Sequence, residues 1–319
     1  MLANRLFPIV LGLIAALPVT AQNFPSRPVR MVVPLAPGGP VDFVARIVAA
    51  RLTDQLGQQV VVDNRPGAGG SVGGDLVARA VPDGYTVLLA ANGTLAVAPN
   101  LLKLPYDVQR DLAAGTLVGT SPQILVVHPA LPAKSVEDLV GLARSRPGTI
   151  NFASSGQGAT SHLASELFRT MARIDIVHVP YKGAGPALTE LAGGSTQMMI
   201  TGVSSTLPYL KSGRLRALGV TSPKRISALP DVPAIAETLP GYEITTWYGL
   251  MTTAGTPGAV VKRLHRDTVA AAAHADVRAR LAGAGVEAET SSPERFSAMI
   301  RSETARWGKI IKAAGVVAR

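Results

Sequence analysis

A chain of 319 residues with 47% apolar side chains has material for two ordinary domains and a sizeable core, which excludes global disorder. It contains no cysteine, so disulfide scaffolds, cysteine–zinc sites, iron–sulfur clusters and thiol catalysis are excluded. The net charge of +10 is dispersed, with no basic run of five, and aromatics are only 4%, so no base-stacking surface and no nucleic-acid partner are expected.

Met1 to Arg5 carries one positive charge, and residues 6–17 are almost uninterrupted apolar sequence. Val19-Thr20-Ala21 then supplies the small residues that signal peptidase needs. The run is shorter than the ~20 residues of a membrane span. Residues 1–21 are read as a signal peptide removed near Ala21, and the mature chain as a free soluble protein of the periplasm.

Residues 29–35 read as a buried strand, followed by a Gly-rich turn over 36–40. A helix follows with Val44, Ile47, Val48, Leu52 and Leu56 on one face, closed by Gly57. A strand over 59–63, a Gly-rich loop over 66–74, a short helix near 75–80 and a strand over 85–91 continue a βαβα rhythm. Ser135 and Asp138 form a capping box that opens a helix to about Arg146. Then come a strand over 149–154, a helix over 161–172, a strand over 174–179, a helix ending at Gly193-Gly194, and strands over 197–201 and 215–221. Helices over 257–273 and 293–314 end the chain, the last with Ser292 as N-cap and Pro293 at N1. Phe296, Ile300, Trp307 and Ile311 make its packing stripe.

Two strand-like segments join the halves: 116–128, broken at Ser121-Pro122, and 243–253, carrying Trp247. The expected fold class is α/β, two doubly wound lobes with a hinge and a central cleft. The lobes are 26–121 plus 248–319, and 122–247.

Enzyme motifs are weak. Gly69-Gly-Ser71-Val-Gly73 matches a nucleophile elbow, yet the preceding strand ends near Asp63, too early for that turn. No complete dinucleotide fingerprint or Walker lysine occurs. His162 and Glu166 lie one helical turn apart and are read as a helix-surface pair or cleft contact, since two metal ligands lack a third. No metal and no cofactor is expected.

What remains are donor-rich loops at the carboxyl ends of strands, where doubly wound sheets bind ligands. Gly38 and Gly39 let backbone approach a ligand before a helix N-terminus, with Asp42 in its first turn. Asn92 and Thr94 follow another strand; Ser154, Ser155, Gly156 and Thr160 follow the next, with His162 beyond them. Tyr181 and Thr201 end two more strands. Two such helix starts converging from opposite lobes make a carboxylate clamp. A hydrolase using Ser71 and a ligand sensor for a signalling partner are the competing readings.

Pro34-Leu-Ala-Pro-Gly-Gly-Pro-Val-Asp42, Asn64-Arg-Pro-Gly-Ala-Gly-Gly70, Pro82-Asp-Gly-Tyr85 and Leu104-Pro-Tyr-Asp107 occur in order. Phe152-Ala-Ser-Ser-Gly156, His178-Val-Pro-Tyr-Lys-Gly183, Leu215-Arg-Ala-Leu218 and Leu229-Pro-Asp-Val-Pro233 follow. Through these motifs the whole mature chain resembles the receptors of tripartite tricarboxylate transporters, the Bug-type periplasmic solute-binding proteins. The resemblance implies a Venus-flytrap fold, no catalysis, a monomer, and delivery of a small organic carboxylate to membrane permease subunits. It also implies that Pro37 to Asp42 and Ser154 to Thr160 grip a ligand carboxylate, partly through water. Two departures stand out. Pro40 and Val41 stand where such receptors often have Gly and Thr, and Thr201 where many have an acid, which argues against amino-acid ligands.

Overall fold

The computed structural model describes residues 24–35, 37–156, 159–181, 184–226 and 228–313. The segment read as a signal peptide lies outside the described residues.

Strand β1 (Val29–Val33) leads into helix α1 (Pro40–Leu56) and strand β2 (Val60–Asn64). Pro40 opens α1 because its fixed φ suits the first turn and its missing N–H is not needed there. Val44, Ile47, Val48, Leu52 and Leu56 are buried, and Gly57 closes the helix at φ 67°. Helix α2 (Ser71–Ala78) begins four residues before the expected start, so Ser71 to Gly74 are helix and not loop. Glycine explains the difference. A Cβ on Gly73 would stand 2.7 Å from Pro34 Cα, so this helix lies directly on the chain leaving β1.

Strand β3 (Thr86–Ala91) runs into a π-helical turn over Gly93–Val97 and the short helices α3 (Ala98–Leu101) and α4 (Val108–Asp111). Strand β4 (Leu112–Val127) then extends unbroken through Ser121 and Pro122, where a break was expected. Helix α5 (Val136–Ser145) starts as expected, with the Ser135 hydroxyl accepting from the Asp138 N–H at 3.0 Å. Strand β5 (Asn151–Ser154), helix α6 (Thr160–Ala172), strand β6 (Val177–Pro180), helix α7 (Ala184–Ala192) and strand β7 (Met198–Gly202) repeat the alternation. Helix α8 (Val203–Lys211), unexpected from the sequence, carries Pro208 and precedes strand β8 (Arg216–Val220). Strand β9 (Thr245–Thr253), helix α9 (Gly258–Ala273), the unexpected helix α10 (Ala275–Gly283), strand β10 (Glu287–Ala288) and helix α11 (Pro293–Ala313) complete the chain.

Among the described residues the strands form one continuous sheet in the order β2-β1-β3-β9-β4-β7-β5-β6, with β8 and β10 also on β4. β4 is shared between two halves. Its residues up to Pro122 pair antiparallel with β9, and from Gln123 it pairs antiparallel with β7 and β8. Pro122 is the last residue facing β9, opposite Thr245. A residue without an N–H sits where the ladder changes partners and the loss is smallest. Each half is otherwise a parallel trio: β2-β1-β3 in the first, β6-β5-β7 in the second.

One core runs through both halves. Leu88 and Leu95 of the first, and Phe152, Phe168 and Ile200 of the second, belong to one buried cluster with Phe296, Ile300, Trp307 and Ile311 of α11. Helix α11 packs on α3 and the π-helical turn at one side and on α6 at the other. The stripe seen in the sequence therefore serves both halves.

Candidate functional site

The strand register places the site. Ala91, the last residue of β3, pairs with Tyr248, and Tyr248 pairs with Gly119 of β4. Gly202, the last residue of β7, pairs with Gln123 of β4. β3 runs parallel to β4 and β7 antiparallel to it, so their carboxyl ends point at each other. Four residue steps along β4 separate them, about 13 Å at ~3.3 Å per residue. The other parallel strands end on the same two sides. Ligands bind beyond such strand ends.

In the first half, the loop before α1 is held by an ionic network. Asp42 is 3% exposed. Its Oδ2 accepts from the Gly38 N–H at 2.9 Å and from Arg46 Nε at 3.0 Å, and its Oδ1 accepts from Asn64 Nδ2 at 3.0 Å. Burial works against the carboxylate, but the bonds from Arg46, Gly38 and Asn64 outweigh it and hold its pKa below the ordinary range. Asp42, expected to line the site, thus has both oxygens committed within its own loop. Gly38 is exposed and Gly39, the N-cap, makes no side-chain cap.

Asn92 and Thr94 are buried at the end of β3. A Cβ on Gly70 would fall 2.4 Å from Thr94 Oγ1, so the loop after β2 rests on the loop after β3. Asn92 Nδ2 donates to the Thr245 carbonyl at 3.2 Å, tying that loop to the crossing. Asn92 Oδ1 and Gln123 Oε1 are buried acceptors that receive no hydrogen bond from the protein. Such groups suit a ligand hydroxyl or water. Gln123 was not anticipated, because nothing local in a strand reveals where its partners change.

In the second half the corresponding loop is held by neutral groups. Ser154, expected to face a ligand, is fully buried, and its Oγ lies 2.6 Å from His178 Nε2 and accepts from the Gly156 N–H at 3.1 Å. The Ser155 N–H donates to Ser161 Oγ at 2.9 Å, and Ser161 Oγ donates to Ser155 Oγ at 3.2 Å. The Ser155 and Gly156 amides, expected to meet a carboxylate, are used inside the loop. Tyr181, partly buried, donates its N–H to the Ser154 carbonyl at 3.0 Å. Thr201 is buried opposite Ile124 at the end of β7, and Thr160 opens α6, whose N-cap Ala159 offers no side-chain cap.

His162 and Glu166 are not a helix-surface pair. His162 is 3% exposed and stacks on His178 with ring centroids 3.9 Å apart, and His178 stacks on Phe152 at 4.9 Å. Glu166 is gripped by Arg169 at 2.8 Å and lies 3.8 Å from His162 Nε2. The α6 face carrying both residues is turned to the sheet, where the amphipathic pattern puts it. Burial, aided by Arg169, lowers the His162 pKa to about 4; burial, aided by His162, lowers that of His178 to about 4. Both are neutral at pH 7.

Ser71 is the first residue of α2 and is buried. No group of three His, Asp or Glu side chains that could hold a metal occurs among the described residues.

Two α/β halves sharing a strand, with the ends of their parallel strands facing each other, define the two-lobed fold of the solute-binding proteins. The model of the tripartite tricarboxylate transporter family receptor matches residues 44–316, and the chain belongs to that family. It is 37% identical over 303 residues to protein BugT of Bordetella pertussis, covering 94% of this chain and 93% of the relative. The structure of R. palustris Rpa4515 with adipate superposes with a TM-score of 0.82 at 36% identity, covering 92% of this chain and 99% of that one. MatC of Rhodopseudomonas palustris with bound malate gives 0.78 at 32% identity, covering 90% and 100%. The family and these neighbours are substrate-binding proteins, not enzymes, which overturns the Ser71 hydrolase reading.

Proposed function

We propose that this protein is a periplasmic receptor that captures a small organic carboxylate between two lobes and delivers it to the permease subunits of a tripartite tricarboxylate-type transporter. The observation that carries the reading is the pair of helix starts without side-chain caps, α1 and α6, set beyond strand ends that face each other across β4. Each helix start contributes about 0.3–2 kcal/mol toward a carboxylate. Neighbours in the same family hold adipate and malate, both small dicarboxylates. Gly38, Gly39, Asn92, Thr94, Ser155, Gly156, Thr160, Tyr181 and Thr201 line or shape the site, with Asp42, Ser154 and His162 behind them. The lobes, 26–121 plus 248–319 and 122–247, close on the ligand as units about the crossing of β4 and β9, and the receptor works as a monomer. The amino-terminal signal pattern supports export, and no described helix is long and apolar enough to cross a membrane.

The preferred ligand carries carboxylates and no ammonium. Asp42 is committed to its own loop and Thr201 bears no charge, so a desolvated ammonium would lack an anionic partner at both positions. Calorimetric titration with adipate, malate, succinate, aspartate and glutamate tests this. A plain dicarboxylate should bind at least about tenfold tighter than either amino acid, a difference of ~1.4 kcal/mol. Tighter binding of aspartate or glutamate than of every plain carboxylate would overturn the selectivity, and no binding of any carboxylate would overturn the receptor reading.

A further inference from the structure

One hydroxyl ties the end of β5 to the turn that follows it. Ser154 Oγ accepts from the Gly156 N–H at 3.1 Å, and its own proton has two possible acceptors, the Gly156 carbonyl at 3.2 Å and His178 Nε2 at 2.6 Å. A separation of 2.6 Å lies within the range of O–H donors, whereas N–H donors centre on about 2.9–3.0 Å. Directed at His178, the Ser154 proton makes an O–H to N bond, and that bond needs an unprotonated Nε2. His178 sits between Phe152 and His162, and a charge on either imidazole would lie 3.9 Å from the other ring. The titratable groups facing it are His162 and Glu166 on α6, with Arg169 behind Glu166; β5 presents only Phe152 and Ser154.

We propose that His178 is the positioning residue of the carboxylate-binding loop: kept neutral by its stack, it accepts the Ser154 hydroxyl proton and so fixes the turn that delivers the chain from β5 to the start of α6. Protonation turns Nε2 from acceptor into donor, strands the Ser154 proton and releases the turn. Ligand grip is then lost in acid through the receptor, over and above any protonation of the ligand. The proposal rests on the carboxylate-receptor reading for its consequence, but not for its geometry.

Two measurements test it. Long-range proton–nitrogen NMR at neutral pH should show His178 with Nε2 unprotonated and Nδ1 protonated; an Nε2–H tautomer would overturn the proposal. Adipate titrations compare the native protein with His178→Gln, which keeps an acceptor near the Nε2 position without titrating, and with His178→Phe, which keeps the stack alone. At neutral pH His178→Gln should stay within about threefold of native, and His178→Phe should lose about tenfold or more. Below about pH 5 the native protein should weaken more than His178→Gln, the ligand's own protonation cancelling in the ratio. Native-like affinity in His178→Phe, or identical acid profiles for native and Gln proteins, would sink the idea. If native protein binds no carboxylate, the receptor reading fails by itself. The tautomer, and the Gly156 amide resonance, native-like in His178→Gln and shifted in His178→Phe, still decide the role of His178.

Discussion

The two halves solve the same problem with opposite chemistry. Each must hold a glycine-bearing loop at a strand end, just ahead of a helix start. The first half uses charge: Asp42 ties Gly38, Asn64 and Arg46 together, and the Arg46 side chain is 54% exposed. The second uses neutral groups: Ser154, His178, His162 and Phe152, with His162 and Ser154 buried. Asp42 and His162 are equally buried, so the partners account for the difference. An ion pair with one partner in water avoids most of the desolvation cost, whereas an ionised imidazole inside the second stack would bear it in full. The lesson is that similar local geometry carries a different pH response on each side of the cleft.

The sharpest way to break the comparison is Asp42→Ala, which removes three hydrogen bonds to one buried carboxylate. It should cost about 2–3 kcal/mol in denaturant unfolding at neutral pH. A cost near zero would mean the loop needs no ionic anchor. Acid comes next. Both stacked imidazoles ionise at about 4 in the fold against ~6.5 when free, so the unfolded chain takes up protons first. Their contribution is complete above about pH 6.5 and is lost as the pH falls toward 4, by up to about 3 kcal/mol for each imidazole. His162→Gln should flatten that slope; an unchanged slope would place the acid sensitivity elsewhere. Asp42, held below its usual range, stays charged over most of this window and adds little to it. The smallest effect belongs to Arg46→Ala. Asp42 keeps Gly38 and Asn64, so a small loss of stability that fades with salt is expected.

Much of this was legible in the sequence because the signals were local. Gly57, the Ser135 capping box, the α1 face and the α11 stripe each announce an element within a few residues, and the donor-rich loops fall at strand ends as read. What escaped depends on contacts between distant segments. The early start of α2 hides behind Gly73 and Gly74, which look like loop until Pro34 is known to lie against the first and Tyr106 against the second. Helix α8 carries Pro208 and three Ser or Thr residues, which read as breakers. The break expected at Pro122 is a change of partners, visible only once β7 and β9 are in register. The stack of Phe152, His162 and His178 draws on three elements and has no signature in any one of them, so Ser154 looked like a ligand group when its hydroxyl faces inward.

The position of β9 has a consequence for the order in which the molecule can be assembled. In the first half β9 lies between β3 and β4, joining strands more than twenty residues apart to one that starts at Thr245. A nascent chain stopped before residue 245 has both neighbours and lacks the strand that zips them together. The second half has no such gap, since the end of β4 and all of β5 to β8 fall within residues 123–220. Sheet pairing can thus be complete in the inserted half while the outer one is still open. The half that holds the amino terminus is the half that is finished last.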